Sequence, residues 1–321
     1  MISGKHWDVI ASGYVSMDRI IKLKTPIRTG FTSLVANKTS ADIQYGGCSV
    51  NIAHNLCRLG RKALPVMRVG GDWDDIGFRS FLWEAGIPLD ALSVMPEERT
   101  SLCYLLQDGE GRHTTLFYPG AMNGAFARPM TDAWFEGSRL AIMTVGSCPD
   151  NEMFFDQCKK HGLPLVFSAK GDADAFPRGF LHELLHYCRI IFSNEIEREA
   201  IESMFGESME NLVDNGRAEY LVTTLGREGS RCYYREGGVL RRIHIPACDL
   251  GPPVDTTGSG DGYVSGFLYG YLNGRPPREC ALLGTVLASF IIEREGCCAG
   301  APDEAALTAR YTWFDNQLQG G

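Results

Sequence analysis

The sequence lacks the features of several large protein classes. No run of Lys and Arg stands out, and 31 basic against 39 acidic residues leave a formal net charge of −8, which argues against nucleic acid as a partner. The most apolar late stretch, Ala281–Ile292, has 12 residues and is too short to span a bilayer, so we expect no membrane partner. Because the net charge repels anions, an anionic substrate would need a local positive site.

Regularly paired cysteines are lacking as well. The chain has 11 Cys, an odd number, with no CxxC pair and with Cys297-Cys298 as the only tight pair. A secreted disulfide scaffold would be shorter and evenly paired, so we expect reduced thiols that serve mostly as small core residues. Residues 1–14 lack the long apolar segment of a signal peptide. These features together predict a cytoplasmic protein.

What the 321 residues do contain is ordinary globular composition, with 44% hydrophobic and 22% charged residues. Strand-like apolar runs alternate with helix-like stretches, which predicts an α/β fold with a mostly parallel sheet covered by helices. The predicted strands are Asp8–Ser12, Leu64–Val69, Leu140–Val145, Leu163–Phe167, Arg189–Phe192 and Tyr220–Thr224. The predicted helices are Ser49–Leu59, Gly77–Ala85, Asn151–Lys160, Phe180–Tyr187 and Glu195–Phe205.

Two segments interrupt this alternation. Asp18–Tyr45 alternates loosely, and Ser101–Tyr118 has the pattern of two short strands around a turn at Asp108-Gly109-Glu110-Gly111. Together they predict a small β-layer beside the main sheet, which would act as a lid. The expected division is a core of residues 1–13, 46–101 and 120–321 and a lid of residues 14–45 and 102–119.

A glycine-rich string, Val254–Tyr263, precedes a helical run that ends at Leu272. Small residues just before a helix allow backbone N–H groups to converge on an anion. Asp261 falls in the first helical turn, where a carboxylate either caps the helix or accepts a proton from an attacking hydroxyl. The chain has no GxxxxGK[ST] motif, and Gly258-x-Gly260 lacks the third glycine of a dinucleotide site. A carboxylate beside a phosphate cradle therefore suggests phosphoryl transfer.

The string Asp255-Thr256-Thr257-Gly258-Ser259-Gly260-Asp261 resembles the C-terminal signature of the ribokinase/PfkB carbohydrate kinase family, Asp-Thr-x-Gly-Ala-Gly-Asp, with Ser259 at the position where Ala is commonest. Further matches follow the family's order along nearly the whole chain: Gly13–Asp18, Gly46–Gly60, Gly71–Gly77, Asn194–Glu197 and Thr223–Gly229. The resemblance implies a ribokinase-like three-layer α/β/α core with a mostly parallel central sheet plus a small β-sheet lid. It also implies an ATP-dependent kinase that transfers the γ-phosphate to a hydroxymethyl group of a sugar or ribonucleoside.

The resemblance assigns roles to individual residues. Asp261 would be the base, with the amides of Gly258, Ser259 and Gly260 as the anion hole. The implied substrate contacts are Asp18, Gly46, Gly47, Asn51 and Phe117, and the implied nucleotide contacts are Asn194, Thr224, Gly226, Gly229 and Ala288. Glu197 would hold Mg²⁺ through water. Asp255 and Thr257 are the positions that match a monovalent cation site, with K⁺ as the candidate ion.

The acceptor stays open between a nucleoside and a simple sugar. Leu116–Met122 and Ala288–Gly296 resemble the bacterial adenosine kinase branch of the family, in which the residue at Phe117 stacks on the base. Tyr14 instead replaces a small residue usual beside the ribose, and Ser168–Lys170 stands where that branch offers amide side chains. The expected quaternary state is a monomer or a homodimer through the lid.

Two other functions are weighed against a kinase. His182-Glu183-Leu184-Leu185-His186 matches the HExxH zinc motif literally, which would make the chain a zinc hydrolase. The predicted helix ends near Tyr187, and its leucines suit a helix that covers the sheet. The other alternative is a non-catalytic relative that binds a sugar or nucleotide as a regulator. Such a relative is expected to have lost its base or anion hole, and both motifs are intact here.

Overall fold

The computed structural model of the chain describes residues 6–108 and 113–320. The turn predicted at residues 108–111 lies, except for its first residue, outside the described residues. Arg112 and the side chain of His113, which are polar enough to contact a sugar, lie outside them as well.

A mostly parallel sheet of nine strands forms the centre of the fold, in the order β13-β12-β11-β10-β9-β8-β1-β4-β5. The seven strands from β11 to β5 run parallel, and β12 and β13 add an antiparallel hairpin at one edge. The strands are β1 (Trp7–Ser12), β4 (Ala63–Gly70), β5 (Leu92–Met95), β8 (Ser138–Met143), β9 (Leu165–Ser168), β10 (Ile190–Asn194), β11 (Tyr220–Thr224), β12 (Ser230–Glu236) and β13 (Val239–Ile245).

Helices cover both faces of this sheet, because the strands are apolar on both faces. In β1, Val9 and Ala11 pack into one core and Ile10 into the other. One face is covered by α1 (Cys48–Arg58), α2 (Phe78–Glu84), α8 (Ser259–Leu272), α9 (Pro277–Ile291) and α10 (Glu304–Gly320). The other is covered by α3 (Asp132–Glu136), α4 (Cys148–Lys160), α5 (Arg178–Tyr187), α6 (Glu195–Phe205) and α7 (Asn211–Asp214).

A second, separate sheet of four strands has the order β3-β2-β6-β7. Its strands are β2 (Ser16–Lys22), β3 (Gln44–Gly46), β6 (Leu102–Gln107) and β7 (His113–Tyr118). β6 and β7 form the predicted antiparallel hairpin, with Cys103 opposite Phe117. The sequence prediction of an α/β fold with a mostly parallel sheet and a small separate sheet is confirmed.

Element boundaries differ from the prediction where local chemistry sets them. α4 begins three residues early because the Ser147 side chain accepts a hydrogen bond from the Asp150 N–H and caps the helix. β9 begins only after Pro164, which has no N–H to donate to a neighbouring strand. The strand β5 and the helices α9 and α10 were not predicted.

The cysteines agree with the sequence expectation of reduced thiols. All eleven cysteines are free thiols. Within residues 6–108 and 113–320, no helix combines the length and the hydropathy needed to cross a bilayer.

Candidate active site

The glycine-rich string opens α8. Gly258 precedes the helix in the left-handed conformation (φ 77°), and a Cβ there would lie 2.9 Å from the Cys297 Cα. Ser259 is the first helical residue. An ideal Cβ at Gly260 would have no described atom within 4 Å, so the backbone borders open space at this point. The Ser259 N–H donates to the Thr256 carbonyl oxygen at 3.2 Å and is not free for the predicted anion hole, whereas the open space beside Gly260 lies where the sequence predicts that hole.

Asp261 is the central carboxylate of the site. It is 4% exposed, and its Oδ2 accepts a hydrogen bond of 2.8 Å from Asn51 Nδ2. Its Oδ1 is buried and has no hydrogen-bond partner among the described residues. The side chain makes no capping hydrogen bond at the start of α8, so it does not act as a helix cap. An unpaired buried oxygen costs free energy that a hydrogen-bond donor on a ligand would recover.

Asp18 and Gly46 lie against the same asparagine. A Cβ on Gly46 would be 3.0 Å from Asn51 Oδ1 and 3.4 Å from Asp18 Oδ2, so only glycine lets the backbone pass so close to both side chains. The pKa of Asp18 is raised to about 6, because burial and, to a smaller extent, the nearby Asp261 charge outweigh the hydrogen bond from Ser16, which lowers it. The structure thus brings two predicted substrate residues to the predicted base.

Gly47 and Phe117 border the cluster from the small sheet. Gly47 has φ 95°, and a Cβ there would lie 2.2 Å from the Tyr14 carbonyl oxygen, so its glycine is needed for packing. Phe117 is 38% exposed, and its ring centroid lies 4.7 Å from that of Tyr14. Across the small sheet, Asp18 pairs with Cys103, and Cys103 pairs with Phe117, so the aromatic ring and the carboxylate lie in one row.

The predicted nucleotide residues lie at the ends of two adjacent strands. Asn194 ends β10 and is paired in register with Thr224, which ends β11. Asn194 and Glu197 form a capping box, with 2.8 Å hydrogen bonds from each backbone N–H to the other residue's side chain. Burial raises the pKa of Glu197, while the Lys170 ammonium lowers it.

The remaining nucleotide residues are less tightly grouped. Gly226 has φ 57° and no described atom near its ideal Cβ position. At Gly229 a Cβ would lie 2.0 Å from the Ile245 carbonyl oxygen. Packing against the end of β13 is therefore sufficient to require a glycine here, without any contact to a nucleotide. Ala288 of α9 lies beside α8, since its Cα is 3.5 Å from the ideal Cβ position of Gly262.

Asp255 is engaged in local hydrogen bonds. Its Oδ1 accepts from the Thr257 N–H at 3.0 Å and from the Thr257 hydroxyl at 2.7 Å, and its Oδ2 accepts from the Gly296 N–H at 3.0 Å. These bonds fix the turn before α8 and leave the carboxylate little capacity to bind a cation directly.

Three residues of the site were not assigned roles from sequence. The Cys298 thiol lies 3.4 Å from Asn51 Oδ1, and the Cys297 thiol lies 3.8 Å from Asp18 Oδ2. Lys170 follows β9, and its Nζ is 4.0 Å from Asp261 Oδ1. Two sequence signals pointed to Lys170, the need for a local positive charge and its place in Ser168–Lys170, where the adenosine kinase branch offers amide side chains. The adjacent cysteines gave none.

The HExxH segment is a surface feature of α5. Glu183 pairs with Lys159 at 2.9 Å, and His186 Nδ1 lies 2.8 Å from the His182 carbonyl oxygen. In the part of the chain that the structure describes, no group of three or more His, Cys, Asp or Glu side chains is arranged to hold a metal ion. The zinc hydrolase alternative therefore has no structural support.

Comparison with known proteins agrees with the class that this fold and site define, a ribokinase-like kinase. The model of the pfkB family of carbohydrate kinases matches residues 8–304. The chain belongs to this family and is a sugar or nucleoside kinase.

Individual relatives resemble the chain over nearly its whole length. A nucleoside kinase of Methanothermobacter thermautotrophicus is 27% identical over 310 residues, which cover 95% of this chain and 96% of the relative. The crystal structure of Methanocaldococcus jannaschii nucleoside kinase has a TM-score of 0.84 at 23% identity and covers 97% of this chain and 100% of its own. Burkholderia thailandensis nucleoside kinase in complex with inosine has a TM-score of 0.82 at 22% identity, with coverage of 96% and 99%.

Proposed function

We propose that this kinase transfers the γ-phosphate of ATP to a hydroxymethyl group, with Asp261 as the base. The observation that carries the proposal is Asp261 Oδ1, a buried acceptor without a hydrogen-bond partner among the described residues, in the first turn of a helix that borders open space at Gly260. An attacking hydroxyl would satisfy that oxygen and, once deprotonated, leave its proton there.

Three features of the chain contribute to the phosphoryl transfer. The Asn51 amide holds the other Asp261 oxygen, so the carboxylate keeps one orientation toward the acceptor. The N–H groups of Gly258, Gly260 and Asp261 and the α8 dipole stabilise negative charge on the equatorial oxygens of the transferring phosphoryl, while the Ser259 N–H donates to the Thr256 carbonyl oxygen. The small sheet closes over the acceptor and excludes water, which would otherwise take the phosphoryl group.

Glu197 is the residue that suits Mg²⁺. Its Oε2 is occupied by the Asn194 N–H, and the rest of the carboxylate is a hard oxygen donor at the predicted nucleotide edge. Magnesium supplies charge neutralisation of the nucleotide phosphates when it is bound. The hydrogen bonds that occupy Asp255 do not suit a directly bound K⁺.

For the acceptor, we favour a ribonucleoside. Asp18 and Asn51 can accept from and donate to vicinal hydroxyls. Phe117 offers a partly exposed aromatic ring in the same cross-strand row as Asp18, which suits stacking on a base. The sequence similarity to the nucleoside kinase of Methanothermobacter thermautotrophicus supports this acceptor. A simple sugar is the second candidate, because the Tyr14 ring already packs at a tilt of 54° against Phe117 and reduces the room for a base.

The test of the base is Asp261→Asn, which keeps the shape and removes proton acceptance. We expect turnover to fall by roughly 10² or more, with ADP affinity nearly unchanged. Asp90→Asn, an exposed position before β5, is the matched control and should behave like the wild type. Near-normal turnover of Asp261→Asn would refute the role of Asp261. Acceptors to screen are ribose, fructose, 2-keto sugars and nucleosides.

A further inference from the structure

Lys170 lies at the reacting end of the site but has no hydrogen bond there. It follows β9 by two residues, and its side chain is 35% exposed. The 4.0 Å between Nζ and Asp261 Oδ1 exceeds hydrogen-bond distance, and no described residue accepts a hydrogen bond from Nζ. The ammonium and the carboxylate oxygen therefore face each other with their hydrogen-bonding capacity unused.

The charges around Lys170 keep it protonated. Cys48 and the Asp261 carboxylate raise the pKa of Lys170 above its ordinary value, and Glu197 acts in the same direction. Because burial raises the pKa of the Cys48 thiol to about 12, that thiol is neutral near pH 7, and the two carboxylates are the charged partners. Lys170 thus carries its charge 4.0 Å from the proposed base and within electrostatic reach of the carboxylate proposed to hold magnesium.

The positive charge of Lys170 offsets the negative charge that surrounds the site. The chain carries a net charge of −8, and Asp18, Asp261 and Glu197 add negative charge around the site. A triphosphate approaching them is repelled unless a cation lies close to its terminal phosphoryl group. Lys170 lies against the base that receives the acceptor proton, which is where that phosphoryl must lie for transfer.

We propose that Lys170, at the end of β9, binds the transferring phosphoryl group on one side, while the amides at the start of α8 bind it on the other. This proposal rests on the proposed function. In the step, the acceptor oxygen forms a bond to phosphorus, the bond from phosphorus to the ADP oxygen breaks, and the acceptor proton passes to Asp261. Lys170 keeps its protons and donates hydrogen bonds to equatorial oxygens, which gain negative charge in the transition state.

The test compares Lys170→Met and Lys170→Arg with Lys160→Met, a surface lysine paired with Asp132 on the opposite face of the sheet. We expect Lys170→Met to lower kcat by about 100-fold, with acceptor KM changed less than about threefold, and Lys170→Arg to retain part of the activity. Calorimetry should show that Lys170→Met weakens binding of a non-hydrolysable ATP analogue by about tenfold and leaves ADP binding unchanged. Lys160→Met should match the wild type in both measurements.

Two results would overturn the proposal. One is an unchanged ratio of ATP-analogue to ADP affinity in Lys170→Met. The other is a Lys170→Met enzyme with wild-type turnover, which would mean that the Lys170 ammonium does not stabilise the transferring phosphoryl group. If the wild type phosphorylates no acceptor, the proposed function fails, and the binding ratio still shows whether Lys170 contacts the terminal phosphoryl group.

Discussion

The two halves of the site are built in different ways. On the acceptor side, Asp261 and Asn51 are buried and hydrogen-bonded to each other across 210 positions of sequence. On the nucleotide side, Asn194 and Glu197 are three positions apart and satisfy each other in a capping box on a more exposed helix start. Long-range contacts therefore fix the residues proposed to do chemistry, while local contacts suffice for those proposed to hold a nucleotide.

The largest expected effect comes from comparing two glycines of α8, Gly260 at the proposed anion hole and Gly262 in the core. Gly260→Val adds a side chain where no described atom lies within 4 Å, so the fold should survive, while the side chain occupies the phosphoryl position. We expect turnover to fall by roughly 10² or more at an unchanged melting temperature. Its counterpart is Gly262→Val, whose Cβ would lie 2.7 Å from Ile291 Cγ1 and should destabilise the protein. An active Gly260→Val enzyme would mean that the string is only a helix start.

The fold and the site differ in how much of each the sequence predicts. The order of motifs predicted the family, the mostly parallel sheet and the small sheet, because each motif is local and keeps its own spacing. The sequence did not predict that Gly229 and Gly47 are required by packing against backbone oxygens. Nor did it place Cys297 against Asp18, since that contact joins positions 279 apart and depends on how the chain folds.

The next effect concerns the acceptor. Phe117→Ala should cost a nucleoside acceptor roughly 1–3 kcal/mol of stacking, or about five- to a hundred-fold in KM. The neighbouring Leu116→Ala is the control, because Leu116 is also exposed on β7 and points to the opposite face of the strand. An unchanged acceptor KM together with raised acceptor-independent ATP hydrolysis would point to a free sugar, with Phe117 as a packing residue of the lid.

The contribution of Asp18 to the stability of the protein should depend on pH. Its folded pKa is about 6 against an ordinary 3.8, so the folded state binds more protons than the unfolded state between those values. Stability from this group is therefore greatest below about pH 4 and is lost as pH rises through 6, by about 3 kcal/mol at most. We expect Asp18→Asn to raise the melting temperature at pH 8 and to weaken acceptor binding. A lower melting temperature at pH 8 would show that the charged form is well solvated.

The smallest expected effect is at Glu197, on the nucleotide side. One substitution there can separate its role in capping α6 from its proposed role in holding magnesium. Glu197→Gln keeps an oxygen that accepts the Asn194 N–H, so the capping box and the melting temperature should be preserved. It removes the negative charge, so the magnesium concentration for half-maximal activity should rise about three- to tenfold, with maximal turnover changed little. Glu195→Gln, in the same helical turn and exposed, is the control. If both variants have the wild-type magnesium requirement, Glu197 only caps α6, and the nucleotide side holds its metal with other groups.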